Sequence, residues 1–287
     1  MDKKTLVLGL SFLGLVLVLT ASLAGIFSDD GGKPYAFTSL RGQAVEIYGG
    51  QGLYQNDSVA KAVAFRGFDW ANLSVCLPAL VLGIYLYRRR QLRGQLLLAA
   101  VFTYFAYIYL IGVMGNAFNI MFLVWTGLFS TGLFGLASLL TDMDISALPG
   151  KLETGFPRKG LAVYAVILGL LLLVQYLAQI IPAYAASSPP ATLEIYTTLE
   201  LAALEIGVMV PLHLVGGMLL WKRKAAGYII VIPLAFAASL TFIALSIAQA
   251  LLYFSFHKGG MFDLIQLMIL AAVATGFSWL TFRRVKN

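Results

Sequence analysis

Charge is scarce in this chain. Only 11% of the 287 residues are Asp, Glu, Lys or Arg, against about 25% in a soluble domain. With 60% hydrophobic residues and a mean hydropathy of +0.86, most of the chain is unsuited to facing water. Cysteine is nearly missing too. Cys76 stands alone, so there is no disulfide framework, and His213 and His257 are the only histidines. That count leaves no Cys/His metal spacing and no bis-histidine haem on one helix. A phosphate loop, a His-x-x-x-His pair and paired carboxylates at catalytic spacing are also lacking. No cofactor and no metal is therefore expected. The short alternating segments of a membrane β-barrel do not occur either.

What the chain does have is long apolar runs. About 20 such residues coiled as a helix match a hydrocarbon core roughly 30 Å thick. Eight runs qualify: 5–27, 70–87, 94–114, 117–140, 161–182, 199–221, 227–254 and 261–282. The expected fold is all-α, a single polytopic bundle of about eight transmembrane helices. Orientation follows from the basic residues. With the N-terminus inside, 15 Lys/Arg lie in cytoplasmic segments and five outside, namely Lys33, Arg41, Lys61, Arg66 and Lys258. Both termini are then cytoplasmic. The net charge of +7 is thus a topological signal that also meets anionic headgroups, not a nucleic-acid footprint. Lys3, Lys4 and Ser22-Leu23-Ala24 also fit a cleavable signal. The apolar run to Phe27 is long enough for a retained span, and retention is the reading taken.

The one sizeable polar segment, 28–69, falls outside. Ala44–Tyr48 alternates like a strand, Gly49-Gly50 breaks it, and Leu53-Tyr54 is expected to pair back as a hairpin. Residues 58–68 read as a short amphipathic helix capped by Asp57 or Ser58. Apolar residues such as Tyr48, Leu53 and Tyr54 are too many to leave in water, so the segment is expected to lie over the helix ends as a lid. A faint 4+4 parallel repeat is also legible. Pro78, Gly83 and Gly94 recur at equal spacings as Pro211, Gly216 and Gly227, with the basic runs Arg88–Arg90 and Lys222–Lys224 in between.

The stretch Leu40-Arg41-Gly42-Gln43-Ala44-Val45-Glu46-Ile47-Tyr48-Gly49, followed by Gly52-Leu53-Tyr54, resembles an outer loop of uncharacterised multi-spanning bacterial membrane proteins. The likeness covers about a tenth of the chain, and Gly49-Gly50-Gln51-Gly52 is longer than the Gly-x-Gly of that pattern. It implies a bacterial inner-membrane location and no activity.

Polar residues inside spans are functional candidates, because an unpartnered polar group in hydrocarbon is costly. They gather toward the outer ends: Asn116, Asn119, and Gln175 with Gln179 one turn apart. Glu200, Asp263 and Asp69 are read as wet or bonded between helices. Glu205 sits roughly 8 Å below Glu200 at 1.5 Å per residue. Pro211 cannot donate to the carbonyl of Gly207, so an acid, a freed carbonyl and His213 line one kinked helix. Tyr104 and Tyr107, near mid-span, need hydroxyl partners, with His213 as one option. The leading expectation is a protein that binds or transports a small amphiphilic ligand reached from the outer side. One alternative is an intramembrane enzyme on a lipid-linked substrate, with Glu205 and His213 as acid and base. The other is a scaffold subunit without a ligand. Expected partners are membrane lipids, a small or lipid-like molecule, and a second copy or another subunit.

Overall fold

The computed structural model describes residues 2–286. Eight helices are long and apolar enough to cross a membrane: α1 Lys3–Phe27, α2 Val59–Arg88, α3 Leu92–Gly115, α4 Phe122–Asp142, α5 Arg158–Ala185, α6 Glu200–Trp221, α7 Ala225–Phe256 and α8 Met261–Arg283. The chain is an all-α bundle and a multi-pass membrane protein. In hydrocarbon a helix satisfies its own backbone polar groups, which is why each apolar run adopts this form. In the apolar stretch of α3, 72% of residues are buried, and in α7 56%, against 28–39% for the other six. These two helices pack on each other and form the centre. Around them, α4 and α2 lie on α3, α8 and α6 lie on α7, α1 closes on α4, and α5 lies along α6.

The faint sequence repeat corresponds to a structural one. Several features of α2–α3 recur 133 positions later in α6–α7, as with Pro78 and Pro211. Both α2 and α6 contain a π-turn, Asn72–Cys76 and Glu205–Met209, each followed two residues on by that proline. The wider turn shifts the ladder by one residue where the proline N–H is missing. Two residues past the end of each helix stands an arginine in the left-handed region, Arg90 and Arg223, each at φ 59°. Both following helices then press a glycine against the preceding helix end. A Cβ on Gly94 would lie 2.2 Å from the backbone nitrogen of Tyr87, and one on Gly227 would lie 2.1 Å from that of Leu220.

The segment between α1 and α2 is a lid. Ile47, Tyr48, Leu53 and Tyr54 are buried against the helix ends, as expected. Two details differ from the sequence reading. The hairpin is made by β1 Tyr35–Thr38 and β2 Ala44–Ile47, not by Leu53-Tyr54. Gly42 (φ 77°) turns β1 into β2, while Gly49, Gly50 and Gly52, all at positive φ, send the chain down to the helices. Residues 58–68 are not a separate surface helix but the first three turns of α2. Their polar side chains are met by partners: Lys61 by Glu200, Arg66 by Asp29 at 2.8 Å, and Asp69 by the Tyr54 hydroxyl at 2.6 Å. Ser58 is the cap, its hydroxyl accepting from the Lys61 N–H. The fourth helix begins at Phe122 rather than at 117, because Asn119 accepts the N–H of Met121 and closes a turn there.

The two helix–helix junctions carry a direct test. Gly94→Ala and Gly227→Ala are each expected to destabilise the purified protein by about 1–3 kcal/mol, since backbone must move to admit the methyl group. Gly9→Ala and Gly276→Ala, where a Cβ meets nothing within 4 Å, should leave the thermal midpoint in detergent almost unchanged.

Candidate functional site

Three polar assemblies sit toward the lid end. The outermost joins the lid to the segment between α5 and α6. Asp57 immediately precedes the cap of α2. Its Oδ1 accepts the Ala117 N–H at 2.7 Å and the Tyr196 hydroxyl at 3.0 Å, and its Oδ2 accepts from the Asn116 amide at 3.4 Å. The Ser58 hydroxyl donates to Glu194, and Arg41 donates to the Glu194 carbonyl. Glu194 holds φ 48°, ψ −124°, a conformation strained for a residue with a Cβ and retained here by these bonds. Lys61 pairs with Glu200 and lies over the Tyr196 ring, 4.5 Å from its centroid. Burial pushes the Asp57 carboxyl up to about 6, with the Ala117 and Tyr196 hydrogen bonds pulling the other way. Burial also raises Glu194, opposed by Ser58.

The second assembly is at the π-turn of α2. The Asn72 amide nitrogen donates to Ser22 and to Tyr109, each at 3.1 Å, and its oxygen accepts from the Tyr104 hydroxyl at 2.9 Å. Asn72 thereby binds α1, α2 and α3 to one another. The third is at the π-turn of α6, where Glu205 occupies the position corresponding to Asn72. The Tyr107 hydroxyl of α3 donates to Glu205 Oε1, and Oε2 is buried without a hydrogen-bond partner.

Beside that turn a crevice of about 850 Å³ opens between the end of α5, the 186–199 segment and α6. Ile180 and Ala183 form one wall, and Ala203, Ile206 and Gly207 the other, with Ser187, Ser188 and Thr198 among the polar groups. Nothing would lie within 4 Å of a Cβ on Gly207, so this wall is open space rather than a helix contact.

The residues singled out by sequence are dispersed by the fold. Glu205 and His213 are both buried in the bundle, 5% and 4% exposed, yet they do not meet. His213 bonds through Nδ1 to the Met209 carbonyl at 2.7 Å and rests against α5 at Gly169. The acid–base pair expected of the enzyme alternative is therefore not assembled. Tyr104 and Tyr107 find Asn72 and Glu205 as partners, not His213. Asn116 and Asn119 serve turns and the Asp57 junction. Gln179 donates to the Gln175 carbonyl and accepts from Thr192, while Gln175 is exposed. Glu205 is thus held neither by Gln175 nor by Asn116. Sequence reasoning passed over Asp57, Lys61, Glu194 and Tyr196, which lie up to 139 residues apart. Their one local signal was the cap at Asp57-Ser58.

No family model, no curated protein and no solved structure matches this chain.

The Asp57 junction makes the lid sensitive to pH. A carboxyl whose value is raised on folding adds stability below its unfolded value near 3.8 and loses it as pH rises through about 6. Folding stability is expected to fall between about pH 4 and about pH 7 by about 1–3 kcal/mol, read as a lower thermal midpoint. Asp57→Asn keeps an acceptor for Ala117 and should flatten that slope.

Proposed function

We propose that this protein binds a small amphiphilic molecule in the crevice between α5 and α6, reached from the lid end. The crevice itself carries the reading. Its volume of about 850 Å³ lies within the roughly 300–1,000 Å³ range of small-molecule sites. Its long walls are apolar and its hydroxyls cluster at the 187–198 turn, the arrangement an acyl or isoprenoid chain with a polar head requires. Glu205 follows the wall residues Ala202 and Ala203 and precedes Ile206 and Gly207. A molecule pressing on this wall bears on the helix turn that carries the Glu205–Tyr107 pair. Transport of that molecule is the extension of the same reading, and α6 with its π-turn is the element that would move.

Native mass spectrometry of gently extracted protein checks the proposal. One retained amphiphile per chain is expected, lost in Ala203→Trp, which fills the crevice from its wall, and weakened in Glu205→Gln. Folded Ala203→Trp protein that retains the molecule would refute the assignment.

The membrane is proposed to be a bacterial inner membrane, with both termini and the basic ends of the helices in the cytoplasm. The resemblance of the 40–54 loop supports the membrane, and the distribution of basic residues supports the orientation. Single cysteines placed at Leu40, 94% exposed on the hairpin tip, and at Ser146, exposed between α4 and α5, should label from opposite sides in a background where buried Cys76 is silent. Labelling from one side would sink the topology.

A further inference from the structure

The two halves close differently at their rims. In the first half the first and fourth helices, α1 and α4, pack along each other. Gly14 of α1 lies against Thr131 of α4, and Gly127 of α4 lies against Leu17 of α1. In the second half the corresponding helices are α5 and α8, and they have almost no backbone contact. They touch at the basic end, where Phe277 of α8 meets Gly160 and the Tyr164 ring, 5.1 Å between centroids. The gap is a groove of about 600 Å³ on the outer surface of the bundle. Val163, Ile167 and Leu171 of α5 and Val273 of α8 line it, all at least 42% exposed.

Its basic end has different chemistry. Lys159 stands at the mouth, its ammonium 5.7 Å from the centre of the Trp221 ring. Lys222, Arg223 and Lys224 follow Trp221 directly. No acidic residue is among the described residues that line the groove. The Tyr164 hydroxyl, also in the lining, is buried without a hydrogen-bond partner. A buried hydroxyl left unpaired is unfavourable, and the residue that carries it lines the groove.

From this apolar groove, its cationic mouth and its orphan hydroxyl, we infer a binding site for one anionic phospholipid. Its acyl chain lies between α5 and α8, and its phosphate lies at Lys159 beside the Trp221 ring. A phosphodiester supplies charge to the lysine, and the ester oxygens below it supply an acceptor for Tyr164. A basic pocket between membrane helices suits such a headgroup. A second copy of this chain would have to match the groove with an apolar helix face and leave Lys159 unpaired. The occupant with an anion at one end and a chain at the other fits both features. This site is separate from the α5–α6 crevice, which opens at the opposite end of the bundle.

The test uses the full chain in detergent with an equimolar mixture of phosphatidylglycerol and phosphatidylcholine, read by native mass spectrometry. One phosphatidylglycerol is expected to be retained in preference to phosphatidylcholine. Lys159→Gln should cut that preference about fivefold, the worth of one lysine at a membrane surface. Ile167→Trp should remove the lipid by filling the groove. Ala203→Trp, in the crevice, should leave phosphatidylglycerol binding unchanged, which separates this site from the amphiphile site. Equal retention of the two lipids, or an unchanged preference in folded Lys159→Gln protein, would overturn the inference. So would a dimer without lipid that Ile167→Trp dissociates.

Discussion

Asn72 holds three helices together with one side chain. It sits where α2 widens into a π-turn, and its amide reaches Ser22 on α1 and Tyr104 and Tyr109 on α3. Hydrogen bonds between membrane helices average only about 0.6 kcal/mol, so these three do not dominate stability. They decide register instead. A slide of α1 or α3 along α2 would leave buried polar atoms unpaired, and the close packing of small residues such as Gly14 and Gly112 would be lost with it. The first half is thus tightly held at the Asn72 turn.

The second half reuses the plan with different chemistry. Glu205 takes the place of Asn72, but it has one hydroxyl partner where Asn72 has three. Ala237 and Phe242 on α7 correspond to Tyr104 and Tyr109 on α3 and have no hydroxyl to offer. Meanwhile α2 packs tightly on α7, with Gly67 against Ala244 and Ala248. Its counterpart pairing, α6 on α3, is much slighter. The consequence is an asymmetric molecule, with α1 and α4 packed together at one rim and α5 and α8 parted at the other. Both cavities discussed above, one at each end of α5, lie in this looser half. Cavities lined by apolar side chains are unfavourable when empty, and in a membrane protein the available fillers are amphiphiles and lipids.

The lid adds a second constraint at one end. Two ion pairs attach it to the bundle, Arg66–Asp29 and Lys258–Glu46, and beside them Lys61–Glu200 joins α2 to α6. The Asp57–Tyr196 bond then fastens the 186–199 segment, which forms the rim of the crevice. The rim is therefore positioned by groups that titrate and that depend on the lid, not by α5 and α6 alone.

The apolar runs were enough to set the class of the fold and the number of spans, because the length and continuity of a helix in hydrocarbon are local properties. The repeat was legible through Pro78 and Pro211 and their trailing glycines for a similar reason: a proline and a tight turn impose their geometry on their own neighbours. The lid's burial followed from Tyr48, Leu53 and Tyr54, whose apolar area has to leave water. Which polar groups meet was decided only by tertiary structure. Glu205 met Tyr107 rather than Gln175 or His213. The polar face of 58–68 became part of α2, since its charges found Asp29, Tyr54 and Glu200 far away in sequence. The 850 Å³ crevice and the gap between α5 and α8 have no sequence signature at all. A cavity is where two helices do not touch, and that depends on the rotation and tilt of helices dozens of residues apart, which no local pattern encodes.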